Sequence, residues 1–241
     1  MLTVIIPCFN EETNVSLILD SLDKILVNNK ITSQVLIVDD KSTDGTANNI
    51  KLWIINNRKN NYYLIYNNTN KKGYGAAIKC GLAEAEGDFI TFVSADLVDP
   101  INMLPLMLDM LNQGADMVQC TRYSKKEDKK TIPFWFRFFQ FFYRKFTKVS
   151  LGLLISDSTY AFKMIKKEKI LKMKLTSNRF SISPEIMFKS VLMGLNVKFL
   201  PGSQGIRING ISKFSFKKEF FGFSYCLIMA FLHRKKISNW F

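Results

Sequence analysis

The sequence predicts an α/β fold in which a mainly parallel sheet is flanked by helices, with further amphipathic helices in the C-terminal half. Two observations predict it. Short apolar runs of strand length alternate with segments of helical periodicity through residues 1–121, the pattern of a parallel sheet covered on both faces. A composition that is 47% hydrophobic over 241 residues supplies the core such a sheet needs.

Taken in order, residues 2–7 read as a buried strand, and residues 11–26 as a helix with Val15, Leu17, Ile18, Leu22 and Ile25 on one face. Residues 35–38 form a second strand, after which Ser42-Thr43-Asp44-Gly45-Thr46 offers N-caps for a helix to about residue 56. Residues 62–66 are a third strand, 73–86 an Ala-rich helix, 89–93 a fourth strand, 101–111 a helix and 117–121 a fifth strand. Beyond Arg122 the rhythm changes. A charged loop at 124–130 leads into an aromatic segment at 133–146, then a candidate strand at 160–164, a helix at 184–193 and a short strand at 197–200. A glycine-containing loop, 202–210, and an aromatic, basic tail follow. No Pro/Gly/Ser-rich linker separates the halves, so the change near residue 122 reads as a subdivision of one globule.

The remaining composition narrows the classes. Four scattered cysteines and a single histidine, His233, leave no Cys/His zinc pattern and suit reduced thiols in a cytosolic protein. His233, set among cations, reads as a surface residue. The N-terminus enters a strand at once, without the marks of a signal peptide. The longest apolar stretch, 220–232, is shorter than a bilayer span. Net charge is +14 and unevenly placed: residues 1–121 carry nine basic against 14 acidic side chains, the rest 25 against six. The basic half reads either as an ordinary solvated face or as a surface for something anionic. Nucleic acid is not expected, because the cations are scattered among apolar runs and no nucleic-acid motif is present.

Ligands of open parallel sheets bind beyond the carboxyl ends of the strands, and polar residues concentrate there. Strand one ends in Pro7-Cys8-Phe9-Asn10-Glu11, strand two in Asp39-Asp40-Lys41-Ser42, and strand four in Ser94-Ala95-Asp96-Leu97-Val98-Asp99. Gathered carboxylates repel unless a cation or hydrogen-bond donors compensate. Mg²⁺ or Mn²⁺ shared between one or two carboxylates and ligand phosphates supplies that compensation. The pattern points to a metal–diphosphate ligand, a nucleotide or nucleotide sugar.

These strings, V-I-I-P-C-F-N-E-E, V-D-D-K-S-T-D-G-T and G-D-F-I-T-F-V-S-A-D-L-V-D-P, resemble the family-2 inverting glycosyltransferases of the GT-A fold, which is Rossmann-like. The likeness is greatest to the branch of dolichyl-phosphate mannosyltransferases and polyprenyl-phosphate glycosyltransferases. It runs from about residue 2 to 213, and three motifs together are more specific than any one. The resemblance implies a catalytic domain over 1–213, with a donor half at 1–121 and an acceptor half at 122–213, while the aromatic and basic composition of 214–241 reads as an interfacial helix. It implies that Pro7, Phe9 and Glu11 wall the nucleoside pocket, and that Asp39 or Asp40 reads base or ribose. Asp96 matches the last acid of the family's D-x-D and would hold the cation on the diphosphate. Arg122 stands in reach of the phosphates. Ser158, Thr159 and Tyr160, in the D-x-x-S-G-F-like segment opened by Asp157, lie near the acceptor with Glu185 of the F-x-P-E-like helix start. Arg207, Ser212 and Lys213 belong to an R-x-x-G-x-S-K loop over both sets of phosphates.

Two departures matter. Ser94 stands where the family has its first Asp, and Val98 where it has Gln. Either Ser94 or Asp99 helps Asp96 with the metal, or metal binding is weaker, or the donor differs. Gly75, at a helix start, is expected either to turn backbone N–H groups toward the diphosphate or to bring the helix close to the sheet.

Charge on a leaving diphosphate is stabilised by a cation with Arg or Lys, a task for Asp96, Arg122, Arg207 and Lys213. No convincing general base follows residue 122. Asp157 is the fallback, or else it orients a neighbouring cation. A phosphate acceptor is already ionised and needs no base. The expected reaction therefore moves a hexose from a UDP- or GDP-sugar to a polyprenyl phosphate. The alternative is a saccharide or lipid-linked glycan acceptor in cell-surface polysaccharide synthesis. Residues 133–146 (PFWFRFFQFFYRKF) and the tail mix aromatics with cations, as interfacial helices do and as core helices with snorkelling cations also do. The expectation is peripheral attachment to the cytoplasmic face of a membrane.

Overall fold

The computed structural model describes residues 1–122, 134–151, 155, 157–202, 205, 207 and 214–241. Its first half follows the expected alternation: β1 (Leu2–Cys8), α1 (Val15–Asn28), β2 (Ser33–Asp39), α2 (Thr46–Asn56), β3 (Tyr62–Tyr66), α3 (Tyr74–Ala83) and β4 (Phe89–Phe92). A 3-10 turn (Ile101–Met103), α4 (Leu104–Asn112) and β5 (Met117–Thr121) complete it. Then come α5 (Phe134–Leu151), β6 (Lys163–Lys166), α6 (Lys167–Leu171), α7 (Ile182–Leu192), β7 (Val197–Pro201) and α8 (Phe216–Arg234).

The seven strands lie in the order β3-β2-β1-β4-β6-β5-β7. All pairings are parallel except those of β6, which runs antiparallel to both β4 and β5. The sheet thus has the mainly parallel arrangement expected. Continuous apolar runs in β1 and β2 arise because both faces are covered. Leu2, Val4, Ile6 and Cys8 of β1 enter one core, with α1 and α4, while Ile5 enters the other, with α3, α7 and α8.

Some boundaries differ from expectation for local reasons, and one element was not expected. Helix α1 starts at Val15 rather than residue 11, because the Glu11 carbonyl accepts the N–H groups of Asn14 and Val15 and folds 11–14 into a turn. The strand expected at 160–164 begins at Lys163, because the Asp157 carboxylate accepts the N–H groups of Thr159 and Tyr160 and bends the chain there. The short helix α6 was not expected. Helix α8 ends at Arg234, and the chain folds back so that the Trp240 N–H meets His233 Nδ1 and Phe241 stacks on the imidazole. The last segment is no free tail, since Phe223, Cys226, Leu227 and Ala230 are buried in the second core.

The reversed β6 positions the site. Its start, not its end, lies at the carboxyl edge of β4 and β5, which carries residues 157–160 to the crevice where Ser94 and Arg122 emerge.

Candidate active site

The exit of β1 is held to the exit of β2 by backbone. The Asp40 N–H donates to the Cys8 carbonyl at 2.8 Å. Asn10 takes a left-handed conformation, φ 52°, and Glu11 then turns inward, its N–H on Thr46 Oγ1 at 2.8 Å. Glu11 Oε2 accepts from Asn14 Nδ2 at 2.7 Å, and Oε1 lies 3.4 Å from Arg207 Nη2. Pro7 and Phe9 border this crevice half-buried, and Lys72 Nζ sits 3.7 Å from the centre of the Phe9 ring.

Both β2-exit carboxylates are buried. Asp39 accepts from the Ser42 N–H at 3.4 Å. Asp40 accepts from Asn67 Nδ2 at 2.6 Å and from the Gly73 N–H at 2.7 Å. Burial raises the Asp40 carboxyl above its usual range, against those hydrogen bonds and the nearby Lys72 charge.

Two N–H groups at the start of α3 are taken up by protein. Gly73 serves Asp40, and the Ala76 N–H donates to the Asn178 carbonyl. A Cβ on Gly75 would stand 2.6 Å from the Ser177 carbonyl oxygen. Gly75 is therefore small so that α3 can approach the 177–179 backbone, a neighbour that is neither the diphosphate nor the sheet. That backbone is pinned in turn by Glu185, placed by expectation near the acceptor. Its carboxylate is fully buried, accepts the N–H groups of Thr176 and Ser177, and pairs with Lys189 at 2.8 Å. Those contacts hold Glu185 below its ordinary pKa even against burial.

At the β4 exit Leu97 is left-handed, φ 63°, and the turn is closed by the Ser94 N–H on Asp99 Oδ2 at 2.7 Å. Asp96 Oδ2 meets Arg207 Nη2 at 2.7 Å and Nε at 3.2 Å. Asp96 Oδ1 and Asp99 Oδ1 are buried without a partner among the described residues. Burial pushes Asp99 up to about 6, with Asp96 acting in the same direction against the Ser94 bond. No group of three His, Cys, Asp or Glu side chains is disposed to hold a metal among the described residues. One open carboxylate oxygen on Asp96 nonetheless suits Mg²⁺, which takes most of its ligands from water and phosphate.

Across the crevice Arg122 grips Asp157 with Nε to Oδ2 at 2.7 Å and Nη2 to Oδ1 at 3.0 Å, and reaches Thr159 Oγ1 at 2.8 Å. Asp157 is fully buried and also accepts from the Thr159 and Tyr160 N–H groups. With its oxygens so committed its geometry matches the second of the two roles expected for it, the orienting of a neighbouring cation. Tyr160 is buried, its ring 4.7 Å from the Arg122 guanidinium carbon, and Ser158 is buried too. These two side chains, expected near an acceptor, are both buried. Ser212 and Lys213 lie outside the described residues.

Sequence reading missed Lys72, Asn67, Tyr74 and Lys163. Lys163 is fully buried, donating to the Ser183 carbonyl at 2.8 Å and Oγ at 3.0 Å. Burial lowers it to about 7, partly offset by Asp157. A lysine two residues past a Tyr-Ala pair carries no sign of burial, and only the reversal of β6 places it in the core.

A family model described as Glycosyl transferase family 2 matches residues 3–173. A dolichol-phosphate mannosyltransferase of Pyrococcus furiosus is 27% identical over 222 residues, covering 90% of this chain and 60% of that protein. A bactoprenol glucosyl transferase of Shigella phage SfV is 24% identical, covering 89% of this chain and 66% of that one. The chain thus spans about two thirds or less of the length of these relatives. Among solved structures, glucosyl-3-phosphoglycerate synthase from Mycobacterium tuberculosis, in complex with Mn²⁺, uridine diphosphate and phosphoglyceric acid, superposes with a TM-score of 0.69. That match covers 99% of this chain and 80% of the other at 17% identity, a likeness of fold.

Proposed function

The chain belongs to glycosyl transferase family 2, and from that premise we propose that it moves a hexose from a UDP- or GDP-sugar to a polyprenyl phosphate at the cytoplasmic face of a membrane. The observation that carries this reading is the meeting of Asp96 with Arg207, 111 residues apart in sequence, at the mouth of the sheet. An acid with one open oxygen and a cation beside it suit a metal–diphosphate group.

In this reading Phe9, Lys72 and Asp40 border the base, Glu11 faces the ribose, and the half from 1 to 121 holds the donor. Mg²⁺ or Mn²⁺, held through Asp96 Oδ1, would supply Lewis-acid compensation for the charge on the diphosphate. Arg207 is placed to exchange its carboxylate partners for phosphate oxygens. Arg122, kept rigid by Asp157 and Thr159, presents its charge without reorganising. Lys213 would add a third cation. An acceptor phosphate oxygen bonds to the anomeric carbon as the bond to the donor's β-phosphate oxygen breaks, and the nucleoside diphosphate leaves. Commitment of Asp157 to Arg122 leaves no evident base among the described residues of this crevice, which favours an acceptor that is already ionised.

The surface of α5 and α8 supports a membrane partner. Phe138, Phe141, Phe142 and Phe146 project from α5 at 50–61% exposure, with Lys145 and Lys148 among them. Phe221, Tyr225 and Ile228 project from α8. Tyr143 faces inward and donates to the Phe223 carbonyl at 2.9 Å, locking the two helices together. Aromatics interleaved with cations fit an anionic headgroup layer. No helix among the described residues is long and apolar enough to cross a membrane.

The test is a panel of UDP- and GDP-sugars with Mg²⁺ or Mn²⁺ and a short polyprenyl phosphate, following release of nucleoside diphosphate. Transfer to an oligosaccharide with none to the polyprenyl phosphate would overturn the acceptor assignment.

A further inference from the structure

Four buried polar atoms gather behind the β4 exit: Tyr74 Oη, Tyr160 Oη, Asp96 Oδ1 and Asp99 Oδ1. Tyr74 Oη, Asp96 Oδ1 and Asp99 Oδ1 have no hydrogen-bond partner among the described residues, and the Tyr160 phenol meets only the Asp99 carboxyl. They arrive from three places, the first residue of α3, the turn after β4, and the segment leading into β6. The charges of Asp99 and Asp96 bear on the Tyr74 phenol, and Asp99 bears on that of Tyr160. The Tyr160 phenol also faces the Asp99 carboxyl as a hydrogen-bond donor. Both rings are fixed by other contacts, Tyr74 by stacking on Phe180 at 5.0 Å and Tyr160 by Arg122. A buried polar atom left unpaired costs roughly 1–3 kcal/mol, so packing alone gives no reason to leave three of them unpaired beside the Tyr160–Asp99 contact.

Their chemistry narrows what completes them. Two are ionisable carboxylate oxygens that accept hydrogen bonds, and two are phenols that accept or donate. Water bound to a divalent cation carries polarised O–H groups suited to all four. Mg²⁺ dehydrates reluctantly and keeps several waters beside one or two carboxylates. Ser94, where the resembling family has a carboxylate, thins the direct ligand set.

We propose that Tyr74, Tyr160 and Asp99 form an outer shell for the divalent cation held by Asp96, taking hydrogen bonds from the water it carries. The proposal rests on the metal–diphosphate reading above. It makes these three positioning residues for the metal, and it explains how a site with Ser94 keeps its cation.

The test is Mn²⁺ binding, read from the electron paramagnetic resonance of the free ion, by the full chain with UDP and separately with GDP. Wild type, Tyr160→Phe, Tyr74→Phe and the double variant are compared, each with a thermal unfolding curve. Outer-shell partners typically contribute 10–100-fold to metal affinity. Each single variant is expected to weaken Mn²⁺ binding about tenfold and the double variant further. Melting temperature without metal should hold or rise in Tyr74→Phe, which removes an unpaired oxygen. Mn²⁺ affinity within twofold of wild type overturns the shell, whether or not the melting temperature falls. A wild-type chain that binds no Mn²⁺ with either nucleotide sinks the metal–diphosphate reading itself, and the shell with it. If both Phe variants unfold, Asp99→Asn carries the same comparison.

Discussion

The acidic turns after β2 and β4 look alike in sequence, Asp39-Asp40 against Asp96 and Asp99, and differ in what their carboxylates touch. Asp40 has both oxygens occupied, by Asn67 and by the Gly73 backbone. Asp96 and Asp99 each have one oxygen occupied and one buried without a partner among the described residues. The first turn is closed by protein and sets the shape of a pocket wall. The second keeps unpaired oxygens, which in the proposed reading a ligand completes. Acidic residues at strand ends are thus of two kinds, told apart by whether their hydrogen bonds are complete.

The comparison is most exposed to Asp96→Ala. Sugar transfer should fall by about 10²–10³, the range for removing one preorganised electrostatic contact, with little change in unfolding free energy, since Asp96 meets no described donor besides Arg207. A variant retaining a tenth of wild-type turnover would break the distinction. Asp40→Ala should behave in the opposite sense. It strands the Asn67 amide and the Gly73 N–H, so denaturant unfolding should show a loss of about 1–3 kcal/mol. A cost under a few tenths would mean that turn is not architectural.

The membrane face can be tested apart from both turns. Replacing Phe142 by Asp removes an apolar ring worth about 1.5–3 kcal/mol when buried in lipid. Sedimentation with anionic vesicles should weaken by tenfold or more, while soluble-donor binding is unchanged. Equal sedimentation would detach α5 from any membrane role.

The smallest effect concerns Lys163, held by Ser183 without a counterion of its own. Its folded pKa, near 7, lies below the unfolded value of about 10.4. Between those values the unfolded chain binds the extra proton, so this lysine's contribution to stability rises as pH rises from 7 to 10. Against a Lys163→Met reference, wild type should gain stability over that window in paired urea titrations. A flat difference would show Lys163 charged in the folded state.

Much of this was legible in the sequence. β1, β2 and β4 were readable because both faces of each are buried, which leaves unbroken apolar runs. Asp96 was readable because polar residues at the carboxyl edge follow from strand direction. β6 was not, since nothing in Lys163–Lys166 says which way the strand runs in its sheet. Gly75 and Glu185 were seen as motif positions, but their partners, the 176–178 backbone, lie about a hundred residues from Gly75. Tyr160 was read as an acceptor contact because a motif gives order along the chain and not depth below a surface.

The span between Asp96 and Arg207 also bears on synthesis. During translation the β4 turn emerges 111 residues before the arginine that pairs with it. Until β7 docks beside β5, Asp96 and Glu11 share an edge without that guanidinium. On the proposed donor site, competence for donor thus arrives late, when the last strand closes the sheet, and a nascent chain stopped short of it carries the acids without their counter-charge.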